Sequence, residues 1–176
     1  DTFSVNLTTG AFKCFRASCD YHGHFVELAR DLNYPLDFGE VKTFRKLPQR
    51  PITPTDPAIR YLEGRGISRA VTERYKITTR KDNQDILAFP FYDENGVLQF
   101  IKYRNTKYKK GDRGSKEWCE TDTKPILFGM SQCTNTDRLI ITEGQIDSLS
   151  VAECGFDNAV SVPTGACGFT WLSHCW

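Results

Sequence analysis

The chain has 176 residues, 39% of them hydrophobic, with 23 basic and 22 acidic side chains and a formal net charge of +1. That length holds one ordinary domain, or a core plus a smaller module. No apolar run approaches the ~20 residues of a membrane span, and no signal-peptide pattern opens the sequence, so a membrane partner is not expected. The seven cysteines are odd in number and follow no regular framework. They exclude a secreted disulfide scaffold and suggest reduced thiols in a cytoplasm-like compartment.

The net charge hides an asymmetry. Residues 1–41 carry three basic and six acidic groups, residues 42–116 eighteen and eight, and residues 117–176 two and eight. Such polarity suggests a polyanion held by the middle and metal ions held by the acidic end, or else ordinary solvated surface. The first residue is not Met, and residues 169–176 read as the start of a helix. A piece of a longer protein is therefore expected.

In chain order, Thr2–Leu7 alternates as a strand, residues 8–10 turn, and Ala11–Phe15 returns. Gly23 precedes a helix over His24–Leu32, with Phe25, Leu28, Ala29 and Leu32 on one face. Residues 34–54 hold Pro35, Pro48, Pro51 and Pro54 among basic residues, the composition of a linker. Asp56-Pro57 opens a helix that stops at Gly64, and a second helix follows Ser68 to about Tyr75. Ile86–Tyr92 and Val97–Tyr103 read as strands joined by the hairpin signal Asp93-Glu-Asn-Gly96. Past a basic loop, Ile126–Phe128 is a short strand. The remainder alternates a buried strand (Leu139–Thr142), a helix (Gln145–Cys154) and a strand (Ala159–Val162), the order of a βαβ unit on a parallel sheet.

Three groups of residues carry candidate chemistry. Glu143 sits where a strand hands over to a helix, and Asp147 follows one turn later on the same side. Acids are favoured near helix N-termini in any case, but here Ser161-Val-Pro-Thr-Gly165 supplies a second strand end with a loop open to phosphate or metal. Second, Lys102, Arg104, Lys107, Lys109, Lys110, Arg113 and Lys116 interleave with Tyr103, Tyr108 and Trp118, a pattern suited to phosphates and stacked bases of a single strand. Alternation gives Lys102 and Arg104 one strand face, while Lys109 and Lys110 read better as solvated loop. Third, Cys14 and Cys19, with His22 and His24 close behind, read as zinc ligands at a hairpin end or as two small buried hydrophobes. Trp171 and Trp176 read as packing residues.

Taken together, Thr142-Glu-Gly-Gln-Ile-Asp-Ser-Leu-Ser-Val151, Val160-Ser-Val-Pro163 and Gly165-Ala166 resemble the first part of a Toprim domain. More narrowly, they resemble phage-type DNA primases and primase-helicases, the group that includes the mitochondrial Twinkle helicase. Phe100-Ile-Lys102-Tyr-Arg104 resembles the basic strand of the primase core, Ile126–Gly129 the segment leading into the Toprim strand, and Phe12–Gly23 the second half of a primase zinc ribbon. The resemblance implies a mixed α+β and α/β fold. It would comprise a zinc-ribbon-like module over 1–33, a linker over 34–54, a basic subdomain with a β-hairpin over 55–125, and a truncated Toprim α/β core over 126–176. It implies a primase that makes short RNA primers on single-stranded DNA from nucleoside triphosphates by nucleotidyl transfer, with a replicative helicase domain as partner.

In that family the acid matching Glu143 binds Mg²⁺ or Mn²⁺, or acts as base, and Asp147 supports it. Lys102, Arg104, Lys107 and Lys116 would hold nucleotide or template, and Cys14 and Cys19 would bind Zn²⁺. The family's Asp-x-Asp metal motif is absent from residues 1–176, which are therefore expected to be inactive alone. A cytoplasmic location is expected, the host's if the protein is phage-encoded. A non-catalytic DNA-binding domain of a Twinkle-like helicase and a Toprim nuclease or topoisomerase are the competing readings.

Overall fold

The computed structural model describes residues 3–6, 8–34, 43–134, 138–165 and 171–175. Two compact units, Asp1–Thr43 and Phe44–Trp176, divide the chain. In the first, β1 (Phe3–Val5), β2 (Ala11–Cys14) and β3 (His22–His24) form an antiparallel sheet in that order. The turn between β1 and β2 closes on Asn6, whose Oδ1 accepts from the amides of Thr8 and Thr9 at 2.9 and 3.0 Å. Helix α1 (Phe25–Asp31) follows directly, and Glu27 reaches back to accept from the His24 amide at 2.9 Å. Phe12 is buried between Phe3 and Tyr21. The third strand was not expected from the sequence, since Gly23 between two histidines has the wrong composition for one.

The second unit begins inside the stretch whose prolines suggest a linker. Residues 35–42 lie outside the described residues. Beyond them, Leu47 is buried and Arg45 donates to Glu120 at 2.7 Å. Gln49 imitates a strand, accepting from the Leu98 amide at 2.8 Å and donating to its carbonyl at 3.0 Å. Helices α2 (Asp56–Glu63) and α3 (Arg69–Arg74) follow, the latter capped by the Ser68 hydroxyl. An antiparallel sheet runs in the order β4 (Thr78–Thr79), β5 (Ile86–Tyr92), β6 (Leu98–Asn105), β7 (Glu117–Cys119). Because β4 pairs only with Leu87 and Ala88, β5 has an unpaired edge beyond them, and Pro90 is tolerated there.

The βαβ unit forms as expected: β8 (Ile140–Thr142), α4 (Gln145–Glu153) and β9 (Ala159–Ser161), with β8 and β9 parallel. Buried Gln145 ties the first turn of α4 to β9, donating to Ser161 Oγ at 3.0 Å and to the Val162 carbonyl at 2.9 Å. Two expectations are corrected. The segment Ile126–Phe128 is buried but makes only an isolated bridge, Phe128 with Ser161. Pro125 lacks a donor, and Gly129 turns away at φ 88°, where an added Cβ would lie 2.8 Å from the Ala159 carbonyl. Strand β8 is not buried: Ile141 is 56% exposed, because among the described residues β8 pairs on one edge only.

One hydrophobic cluster joins these elements. Phe128 stands at its centre, 5.4 Å from Tyr75, 6.1 Å from Phe89 and 5.2 Å from Phe91 between ring centroids. Leu62, Ile77, Leu149 and Trp171 share the cluster, so the segments on either side of residue 125 have a common core. None of the described helices is long and apolar enough to cross a membrane.

Candidate nucleotide site and thiol pair

Strand β6 presents Leu98, Phe100, Lys102 and Arg104 on one face by alternation, and the first three are buried. Apolar core thus gives way to two cations along a single strand face. Their counter-charge comes from β7, whose register sets Glu117 opposite Arg104. Glu117 Oε2 lies 3.0 Å from Lys102 Nζ, and Oε1 accepts from Arg104 Nη1 at 2.8 Å. A cation taken out of water needs such a partner.

Two clefts meet at this ion trio. One, of 170 Å³, is lined by Arg65, Lys102, Arg104, Glu117, Gln145 and Asp147, and opens on the first turn of α4. The other, of 320 Å³, is lined by Lys102, Glu117, Trp118, Cys119 and the Pro163–Gly165 loop. Burial raises the Cys119 thiol above the usual range, so it is a neutral wall of that cleft. Glu143 is exposed, and its Oε1 lies 3.9 Å from where a Cβ on Gly165 would stand. Asp147 is also exposed, and its Oδ2 lies 2.8 Å from the corresponding point on Gly144. Neither carboxylate has a hydrogen bond or ion pair among the described residues.

Lys102, Arg104 and Asp147 are therefore brought together, with Glu143 beside the second cleft. Lys107 is not with them. It lines a separate 170 Å³ hollow with Arg60, Tyr61 and Asp85. Lys116 is exposed just before β7, and its carbonyl accepts from Asn105 at 2.9 Å. Two of the interleaved aromatics, Tyr103 and Trp118, alternate away from the face of Lys102 and Arg104, although Trp118 also contributes to the wall of the larger cleft. Tyr103 and Trp118 stack on one another at 5.6 Å on the opposite side of the sheet, and Tyr103 donates to Glu120 at 2.9 Å.

Two site residues escaped the sequence reading. Arg65 is bracketed by Gly64 and Gly66, a signal read only as a helix stop. Glu117 lies on a three-residue strand too short to show a period.

In the first unit, the hairpin loop closes through the Cys14 amide and the Tyr21 carbonyl at 2.9 Å, bringing the Cys14 and Cys19 thiols within hydrogen-bonding reach. The Arg16 backbone amide and then the Cys19 thiol lower the Cys14 pKa, favouring the thiolate that metals bind. The histidines turn elsewhere: His22 Nδ1 lies 2.7 Å from the Asp20 carbonyl, and His24 Nε2 lies 3.0 Å from that of Thr9. Among the described residues no third ligand joins the thiols, and no group of three candidate ligands gathers anywhere. The thiol pair fits half of a tetrahedral zinc site. The carboxylates of Glu143 and Asp147 are hard oxygen donors of the kind Mg²⁺ takes one or two of, completing its shell with water and phosphate oxygens.

The chain is 30% identical over 161 residues to the Twinkle homolog protein, chloroplastic/mitochondrial, of Arabidopsis thaliana, covering 90% of this chain and 21% of that one. It is 34% identical over 107 residues to the Primase homolog protein of the same plant, covering 60% of this chain and 29% of that one. By sequence, this chain is similar to a part of each of these two proteins. It spans less than a third of the length of either relative. No family model matches.

The fold agrees with that relationship. The Aquifex aeolicus primase, comprising zinc-binding and RNA polymerase domains, superposes with a TM-score of 0.55 at 17% identity, over 99% of this chain and 60% of that one. A DnaG primase catalytic domain bound to ssDNA gives 0.52 at 22% identity, over 72% and 52%. The mixed α/β architecture of the chain is thus that of primase cores.

Proposed function

We propose that the chain is the primase portion of a replicative primase or primase-helicase, a nucleotidyltransferase that makes short RNA primers on single-stranded DNA. The observation that carries this reading is the convergence of Lys102 and Arg104 on the first turn of α4, beside two exposed carboxylates that have no partner among the described residues. Lys102 and Arg104 would bind the triphosphate, their buried stems fixing the direction of both charges. Arg65 faces them across the smaller cleft and would meet the same anion. Lys116 and Lys107 would attract template from outside the clefts. Glu143 and Asp147 would hold Mg²⁺ or Mn²⁺, and the ion would supply charge neutralisation of the phosphate oxygens during transfer. Glu143 would also be positioned to accept a proton from an attacking hydroxyl.

The same reading makes residues 126–176 the first part of a Toprim domain, residues 55–125 its basic companion, and residues 34–54 the connection to a zinc module over 1–33. That module, through Cys14 and Cys19, would contact the template. A helicase domain is the expected partner, in keeping with the Twinkle relationship, and a reducing, cytoplasm-like compartment suits the thiols. The test is primer synthesis on single-stranded DNA with labelled ribonucleotides, by a protein carrying this chain. Glu143→Gln should lower the rate by about a hundredfold or more. Undiminished synthesis would remove Glu143 from the mechanism.

A further inference from the structure

The geometry points to Glu117 as a positioning residue that divides the nucleotide site in two and gives way when a polyphosphate binds Lys102 and Arg104. This rests on the nucleotide-binding reading above and deepens it. Four observations on the page carry it.

The first is size. Pockets that enclose small organic ligands run from about 300 to 1,000 Å³. The cleft at α4 is well below that range at 170 Å³, and the cleft at Pro163–Gly165 barely enters it at 320 Å³. Both share Lys102 and Glu117 as walls. Moving the Glu117 carboxylate joins them into one cavity that reaches from Asp147 to Gly165, beside Glu143.

The second is charge. Glu117 occupies both cations at once, one carboxylate oxygen on each. A phosphate oxygen can approach Lys102 or Arg104 only by sharing or displacing that carboxylate. A polyphosphate offers several anionic oxygens in a row, so it can replace both contacts together and leave neither cation unpaired.

The third is the order of burial. The side chains of Lys102, Arg104 and Glu117 are 10%, 20% and 33% exposed, so the carboxylate is the member of the trio most open to water. The fourth is its support. Glu117 is the first residue of a three-residue strand at the sheet edge, whereas both cations lie on the eight-residue strand inside it. The preceding loop has Gly111 and Gly114 at positive φ with open space around them. The anion is thus carried by the part of the site least held by its surroundings.

A purely structural Glu117 makes the opposite prediction. If it only kept the cations in place, its loss would let them splay and weaken anion binding. Titration calorimetry with inorganic tripolyphosphate at low salt separates the two, using the chain with Glu117→Gln, Glu117→Asp and Lys102→Ala. Glu117→Gln should bind tripolyphosphate on the order of tenfold more tightly than the unaltered chain, and Lys102→Ala should bind it more weakly. Equal or weaker binding by Glu117→Gln, with Lys102→Ala still impaired, overturns the role of Glu117 and leaves the nucleotide reading standing. Absence of binding by both the unaltered chain and Glu117→Gln overturns both. Should circular dichroism show Glu117→Gln unfolded, Glu117→Asp decides. Its shorter reach loses one of the two contacts, so tighter binding supports the role and equal or weaker binding overturns it.

Discussion

The two units solve the same folding problem with very different means. In Phe44–Trp176, helices and strands from distant parts of the chain share one cluster that excludes water from Phe89, Phe91, Leu127, Phe128 and Leu149. In the unit ending at Thr43, only Phe12 and Ala29 are buried hydrophobics among the described residues, while Phe15, Leu32 and Tyr34 are exposed. Below about 40 residues a chain cannot bury enough apolar surface to offset its conformational entropy, and metals or cross-links usually make up the difference. The paired thiols of Cys14 and Cys19 are the feature of the smaller unit that suits that need. What the contrast teaches is that one unit carries a core large enough to hold it together, while the other buries so little that a cross-link or a bound metal would have much to add.

The sharpest way to break this contrast is to remove the thiol pair. Zinc content measured by elemental analysis should be lower for Cys14→Ser than for the unaltered chain. Chelation should abolish amide-exchange protection in β2 and β3 while β5 and β6 keep theirs. Equal metal content in the two proteins would make Cys14 structural only. Next in size is Phe128→Ala, which should cost about 3–5 kcal/mol in urea unfolding of the larger unit. Protection in β2 and β3 should not change, and a parallel loss there would mean that the units do not unfold separately.

The smallest effect concerns alkaline pH. Burial, and then the hydrogen bond to Glu120, push the Tyr103 pKa up to about 12. The fold therefore favours the protonated phenol, and that stabilisation is complete below the ordinary tyrosine range near ~10 and is lost as pH rises toward about 12. Tyr103→Phe should flatten that part of the alkaline fall in stability by about 1 kcal/mol, a figure reduced for the partly exposed ring. Denaturant midpoints of the two proteins at pH 9 and pH 11 measure it. Parallel curves would show that Tyr103 ionises equally well folded and unfolded.

Elements whose signals are local were legible from residue order. Ser68 caps α3, Asp93–Gly96 turns the β5–β6 hairpin, and Gly144 opens α4 after a short apolar strand, each within a residue or two of expectation. Strands β3, β4 and β7 were not, because they exist only through the neighbours that pair with them. The candidate site divides the same way. Lys102, Arg104, Glu143 and Asp147 were picked out by type and spacing, whereas Arg65 and Glu117 enter through contacts with residues far along the chain.

Alternation along β6 was enough to say that Lys102 and Arg104 point the same way, since the pleat has a period of two whatever surrounds it. Which way that is, and against what charge, depended on the sheet: one face continues the core, and the register of β7 supplies Glu117. Likewise the nearness of Cys14 and Cys19 follows from a short loop, but the turning away of His22 and His24 follows from carbonyls that a third strand and a turn bring within reach. Periodicity and capping act over a few bonds and are written in neighbouring residues. Burial and ion pairing are decided by whichever distant group the packed chain delivers.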